Sequence, residues 1–454
     1  MNARRADAVV IGAGWAGLAA AVHLADAGRR VIVVEESRRL GGRATAFTDR
    51  ATGERVDNGQ HVLFGCYRAT YDVLRKVGAA DAAPLQQALT LVMADDTGRR
   101  ATLACPPWPP PWHLVGGVLR WSAMPLADRL AARHLRPLLS AARRDGAEAV
   151  AARVPETQTV TGWLTTLRQP ASLRRWLWDP LAWAALNQDP DVAAARPFVR
   201  VLGELFGPRA EDAALGLPAV PLDALFPEPA AAFVRARGGE VRMGAPGRVV
   251  VDARGVAGVA VGDEVIETRC VISAVPWHAF GRIWRDDVPE ALQPVAASAA
   301  AMASSPIVTV NLWFDGPVMT ESFLGLVGGP IHWVFDKSAI LREPGGHLSV
   351  VSSGATDLAT MSNEEATEVA LRCLAPVLPE TRSRTLKRSV VVREPRATFS
   401  LAPGQPPRPA TVTALPGFFL AGDWIDTGLP ATIEGAARSG AAAGLAAARN
   451  TPRE

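Results

Sequence analysis

A short apolar run, Ala8 to Ile11, leads directly into Gly12-Ala-Gly14-Trp15-Ala16-Gly17. A helical stretch from Leu18 to Ala27 follows, closed by Gly28, and then a second apolar run, Val31 to Val34, ending in Glu35. Strand, glycine turn, helix, strand and acid in this register commit the N-terminal region to a parallel βαβ unit. Gly12 makes the tight turn, Gly14 lets the backbone approach a pyrophosphate, and Gly17 lets helix and strand pack closely. The helix start at Trp15 and Ala16 offers free N–H groups and a positive dipole end to phosphates. Glu35 stands where a carboxylate accepts hydrogen bonds from an adenosine ribose. Its neighbour Glu36 points the other way on a strand and is read as solvated. A glycine fingerprint alone is weak evidence, but one with all its partners in register defines a dinucleotide site.

At 454 residues the chain is too long for one simple core and suits two interleaved domains. Hydrophobic residues make up 48% and charged residues 20%, a globular balance, and the net charge of +3 gives no argument for a nucleic-acid partner. Nearly all basic residues are Arg, with Lys only at positions 76, 337 and 387. Cys66, Cys105, Cys270 and Cys373 are far apart and form no CxxC pair. No metal site or disulfide framework is therefore expected, and reduced thiols are the default. The N-terminal apolar run continues into the fingerprint and lacks a cleavage signature. No stretch reaches the roughly eighteen apolar residues of a spanning helix. A cytoplasmic protein is expected, either soluble or lying on the inner face of the cell membrane.

Leu40-Gly41-Gly42-Arg43 follows the acidic residue, and near the other end Gly417-Phe-Phe-Leu-Ala-Gly422-Asp423-Trp424 reads as an apolar strand delivering Gly-Asp. Residues 428–440 then open an Ala-rich helix through Thr432 and Ile433. Together these segments resemble the extended fingerprint of the amine oxidase and phytoene desaturase flavoprotein superfamily. The resemblance implies FAD rather than NAD. It places Gly41, Gly42 and Arg43 at the pyrophosphate, where Arg offers a charge-assisted fork, and Asp423 at the ribityl or pyrophosphate part. The helix start faces the flavin ring, where its dipole would favour negative charge on reduced flavin. Small residues at Gly435, Ala436, Ala437, Ser439 and Gly440 allow that helix to pack closely.

Val56-Asp57-Asn58-Gly59-Gln60-His61, with Tyr67-Arg68 soon after, is worded like carotenoid-type desaturases and especially like the hydroxysqualene dehydroxylases. Further echoes are Trp183-Ala-Ala-Leu-Asn187, Ala274-Val-Pro276-Trp277-His278 and the string from Ala421 to Gly435. The resemblance covers essentially the whole chain and implies that the loop of Gly59, Gln60 and His61 runs beside the isoalloxazine. One departure is Gly247 after Ala245-Pro246, where the family often has Val; that segment normally gives the adenine a backbone contact, assigned here to Val249.

The resemblance implies a discontinuous, GR2-type Rossmann-like FAD domain (1–84, 226–285 and 411–454). It is interleaved with an α+β substrate domain (85–225 and 286–410) carrying a helical apolar cap. The stretch from about 80 to 225 reads as helical and Pro-punctuated, with strands expected near Ile307–Phe314, His332–Phe335 and His347–Val351. Residues 105–145 combine Trp108, Trp112 and Trp121 with many leucines and with Arg120, Arg129, Arg133 and Arg136. This composition suits either peripheral contact with a membrane or a cap packed on the substrate domain. The segments 176–183 and 308–314 fit a long apolar cavity or any large core. His61 and His278 read as structural hydrogen-bonders. Asp57 and Asp179 become proton donors only if burial raises their pKa; the catalytic residues are not identifiable from sequence.

The leading expectation is reductive removal of the hydroxyl of a long apolar isoprenoid, hydroxysqualene, to give squalene. Its rivals are a carotenoid or phytoene desaturase, an amine oxidase (disfavoured because Tyr67 and Tyr71 are the only tyrosines) and a non-catalytic flavin scaffold.

Overall fold

A computed structural model describes residues 4–450; residues 1–3 and 451–454, the outer ends of the first and last expected segments, lie outside the described residues. Val9, Val33 and Ile272 are wholly buried in a five-stranded sheet, each contributing roughly 1.5–3 kcal/mol. Its order is Glu240–Met243, Val31–Glu35, Ala8–Ile11, Val271–Ser273, Phe418–Leu420, and every pairing is parallel. The strands thus come from three separated stretches of sequence. A parallel sheet needs cover on both faces: the helices Trp15–Asp26 and Ile433–Asn450 pack on one, and the antiparallel strands Gly247–Asp252, Gly255–Val261 and Glu264–Glu267 share a core with the other. These two helices pack backbone against backbone: a Cβ on Gly440 would lie 2.3 Å from the Ala16 carbonyl oxygen.

The second large sheet has seven strands, in the order Leu386–Phe399, Ser304–Phe314, Gly346–Ser353, Trp333–Asp336, Phe323–Val327, Thr90–Asp95, Arg100–Ala104. Strand period two divides its second strand, Ser304–Phe314, cleanly. Val308, Val310 and Leu312 face a core shared with Ala366, Ala370 and Leu374 of the helix Asn363–Leu374. Ile307, Thr309, Asn311 and Trp313 face the other way, where Trp313 donates to Glu54 of the 46–57 hairpin.

The expected strands at 307–314, 332–335 and 347–351 appear as Ser304–Phe314, Trp333–Asp336 and Gly346–Ser353. The expectation of helix throughout 80–225 needs correction, because residues 90–104 form a β-hairpin on the sheet edge. Arg100–Ala104 alternates exposed and buried, and the Asp95 carboxylate accepts the Thr97 and Arg99 N–H groups to close the turn. The long strand Leu386–Phe399 was not anticipated; its charged residues hid the alternation. Helices between Trp112 and Leu205 form the apolar cap. We keep the five-segment domain division as a proposal that the origin of the strands supports.

Candidate functional site

The N-terminal fingerprint is built as a cradle. Gly12 sits at φ 105°, and a Cβ there would lie 2.9 Å from the Ala274 carbonyl oxygen. A Cβ on Gly17 would fall 1.9 Å from the Gly12 oxygen, so only glycine lets this helix approach its strand. The second glycine pair is stitched to the first: Gly41 N–H donates to Ala13 O at 2.9 Å, and Gly14 bridges Gly41. The helix Trp15–Asp26 has no side-chain cap and no acid in its first turn, so its N-terminal donors face an anion-ready opening. Glu35 is held at the strand end by the Ala13 N–H (2.6 Å) and the Ser37 N–H (2.8 Å).

A cavity of about 640 Å³ starts at this cradle. It is lined by Gly12, Gly14, Trp15, Ala16, Glu35, Gly41, Gly42 and Arg43, and on the far side by Gly422, Asp423, Thr432 and Ile433. Gly59, Gln60 and His61 line its middle. The structure therefore brings fifteen of the seventeen sequence-nominated residues to one cavity. Gly17 stays behind the cradle in its packing role. Val249 is the correction: it is buried and does not line the cavity. Its N–H and C=O are taken by Ile283 O (2.6 Å) and Arg285 N (3.1 Å), so no backbone contact is left for an adenine. Pro246, Gly247 and Arg248 line that end instead.

Arg43, which lines the cavity, also links its two ends. Its fork goes to Asp423 Oδ1 at 2.5 Å and the Ala397 carbonyl at 2.8 Å, tying the N-terminal and C-terminal motifs together. Ser439 Oγ accepts the Gly422 N–H at 2.9 Å, fixing the strand end to the helix Ile433–Asn450. Glu434, unforeseen in the sequence, is 1% exposed and caps the helix Arg68–Lys76 through the Ala69 and Thr70 N–H groups, with Arg438 as its countercharge. The loop at 57–61 is pinned from below by a buried lysine that the sequence did not single out. Lys337 Nζ donates to Asp57 Oδ2 at 2.8 Å and to Gln60 Oε1 at 2.7 Å. Asp57 also accepts the Leu222 N–H at 2.9 Å and is fully engaged, which removes it as a proton donor. Burial raises the Asp179 pKa, but Asp179 does not line the cavity.

Beyond the 57–61 loop the cavity continues over the inner face of the seven-stranded sheet. Its walls there are Phe64, Ile307, Phe323, Trp333, Phe335 and Val351, with Leu215 and Ala184–Ala185 opposite. Of the two readings left open for 176–183, cavity or core, the structure has the core, with Trp176 and Trp178 buried in the cap. The polar groups of this chamber are few: Asn187, Ser353, Thr398 and Glu394. Asn187 is spent on Ser305 O, Thr398 Oγ1 and Gly354 N. Glu394 stands opposite Ile307 on the neighbouring strand and has no hydrogen-bond or ion-pair partner among the described residues. His61 rests against Gly59 O at 3.2 Å, as a structural hydrogen-bonder should, and burial lowers its pKa. His278 lines the cavity with Nδ1 unpartnered, and burial, then Arg396, pushes its pKa down to about 4. Both imidazoles are neutral near pH 7.

A glycine cradle, an anchored acid, an open helix N-terminus and a second helix start across one cavity fit a flavin dinucleotide. The chain belongs to the flavin-containing amine oxidoreductase family, whose model matches residues 15–447; it is an FAD-dependent oxidoreductase. Its similarity to curated proteins points further. The hydroxysqualene dehydroxylase of Sinorhizobium fredii is 31% identical over 442 residues, covering 95% of each chain. The 15-cis-phytoene desaturase of Synechococcus elongatus is 26% identical, covering 95% of this chain and 93% of its own. Among solved structures, an oxidoreductase from Methanosarcina mazei shares the fold with a TM-score of 0.73 at 18% identity, covering 96% of this chain and 99% of its own.

Proposed function

We propose that the enzyme removes the hydroxyl of hydroxysqualene reductively to give squalene. The observation that carries this reading is the apolar chamber joined to the cofactor cavity, with Glu394 as its one unpartnered carboxylate. The 31% identity to a hydroxysqualene dehydroxylase supports it over desaturation, the activity named for a relative at 26%.

Bound FAD supplies, in its reduced form, a hydride. The allylic C–O bond breaks with its electron pair on oxygen, the carbon takes the hydride, and the oxygen leaves as water with one added proton. Within the chain, the tasks are to hold the isoprenoid, exclude water and deliver that proton. Phe323, Trp333, Phe335 and Val351 give a wall that a hydrocarbon wets and water does not. The histidines lining the cavity are neutral near pH 7 and poor proton donors. Glu35 is anchored at the nucleotide end and Asp423 is held by Arg43. Glu36 also lines the cavity, beside Glu35 at the nucleotide end, which leaves Glu394, in its protonated carboxylic-acid form, as the group that protonates the departing hydroxyl.

The test is anaerobic: reduce the purified yellow protein, add hydroxysqualene, and follow flavin reoxidation with product analysis. Reoxidation with stoichiometric squalene is expected. Its absence sinks the reading, conversion of phytoene to more conjugated products favours a desaturase, and reduction of the oxidised enzyme by amines favours an amine oxidase. Bound flavin that none of these substrates oxidises or reduces indicates a scaffold. Glu394→Gln is expected to slow reoxidation by about 10²-fold or more, while substrate still perturbs the flavin absorbance. An unchanged rate removes Glu394 from the chemistry.

A further inference from the structure

Half of the large hydrophobic side chains left exposed among the described residues fall in one short stretch: Trp108, Trp112, Val115, Leu126 and Leu130. Trp112 is 62% exposed and Leu126 57%. The clustering follows from how two helices are seated. Trp112–Arg120 turns His113, Gly116 and Gly117 inward, and a Cβ on Gly117 would lie 2.7 Å from Cys105 Sγ. Trp112 and Val115, three residues apart, therefore share the outward face. Leu126–Leu130 buries no residue, and its two leucines, four apart, are both exposed. Arg129 joins the helices by donating to Leu119 O and Met124 O, both at 2.8 Å. Beneath them Trp121, Met124 and Leu135 fill the core. The cap is thus fully packed on its inner side and still apolar outside. No residue of 105–145 lines the cavity, so this surface does not serve the pocket wall.

Charge around the patch is predominantly positive. Asp128 is the only acid from 106 to 144, against six arginines, and it is engaged by Ser172 Oγ at 2.5 Å. The Arg120 guanidinium lies 4.8 Å from the Trp108 ring centre. Arg120, Arg133 and Arg136 are exposed and have no carboxylate partner among the described residues. An apolar face carrying tryptophan and rimmed by free guanidinium groups matches a bilayer surface, where indole sits at headgroup depth and Arg reaches lipid phosphate. The excess of arginine over acid selects anionic lipid. No helix among the described residues is long and apolar enough to cross.

We propose that residues 108–136 dock in the plane of an anionic bilayer. Trp108, Trp112, Val115, Leu126 and Leu130 enter the boundary between headgroup and acyl chain, and Arg120, Arg133 and Arg136 hold lipid phosphates. The inference is independent of which isoprenoid reaction the enzyme performs.

Co-sedimentation of the holoenzyme with vesicles tests it, using phosphatidylcholine alone and phosphatidylcholine mixed with phosphatidylglycerol. Wild type is expected to sediment with the mixed vesicles and to be released by salt. Trp112→Ser with Leu126→Ser should weaken partitioning by about tenfold or more, with FAD content and circular dichroism unchanged. Arg120→Gln with Arg133→Gln and Arg136→Gln should abolish the preference for phosphatidylglycerol. Failure of wild type to bind vesicles overturns the proposal, and so do variants that bind like wild type. A wild-type dimer in lipid-free solution that the Trp112 and Leu126 changes dissolve also overturns it, by making this face a contact between copies of the chain.

Discussion

Lys337 and Asp57 form an ion pair in which the side chains are only 2% and 6% exposed. Two charges taken this far from water gain little net stability as a pair, but removing one strands the other. Lys337→Met should therefore destabilise the fold by about 3–5 kcal/mol and weaken FAD retention, because Gln60 loses its anchor. Adding Asp57→Asn should recover part of the stability, measured by urea denaturation. A single variant as stable as wild type would show that water, not Lys337, satisfies Asp57. The sequence displayed both residues: Asp57 in a quoted motif, and Lys337 as one of three lysines in an Arg-rich chain. Nothing in their 280-residue separation announced that they meet.

At the scale of elements, the contact between the helices Trp15–Asp26 and Ile433–Asn450 couples the two ends of the chain. Gly440 meets the Ala16 carbonyl and Gly444 the Ala20 carbonyl, the latter 2.8 Å from where a Cβ would sit. Overpacking a backbone contact forces the helices apart, since no flexible side chain can yield. Gly440→Val is expected to cost about 1–3 kcal/mol or more and to speed FAD loss, because the helix starts at Trp15 and Ile433 both line the cofactor cavity. Thermal melts and the rate of flavin fluorescence release check this. Unchanged values for both would mean the helices are not held at this distance. The run of small residues made close packing legible beforehand. Neither the partner helix nor the register, Gly440 on Ala16, was legible there.

For the whole molecule, buried histidines set an acid limit. Burial pushes His332 down to about 4, and burial with Lys337 nearby pushes His347 down to about 3, from an ordinary 6.5. His332 Nδ1 accepts the Ser353 N–H at 3.0 Å, which requires that nitrogen to be unprotonated. The unfolded chain therefore binds more protons than the fold below about 6.5. Stability is fully present above that pH and is lost as pH falls toward 4 and 3. Urea midpoints should drop between about pH 7 and about pH 5, and less steeply in His332→Gln; a flat wild-type profile would count against it. By itself the sequence determined the cofactor cradle, because a βαβ turn is local: glycine spacing and strand and helix periods act within about thirty residues. It reached the C-terminal half of the site only through wording shared with a family. The tertiary structure alone decided what lines the chamber, that Val249 turns inward, that Arg43 grips Asp423, and that Glu394 stands unpartnered beside Ile307. These are matters of strand register and of which face a strand buries, and both are fixed by pairings between residues tens to hundreds of positions apart.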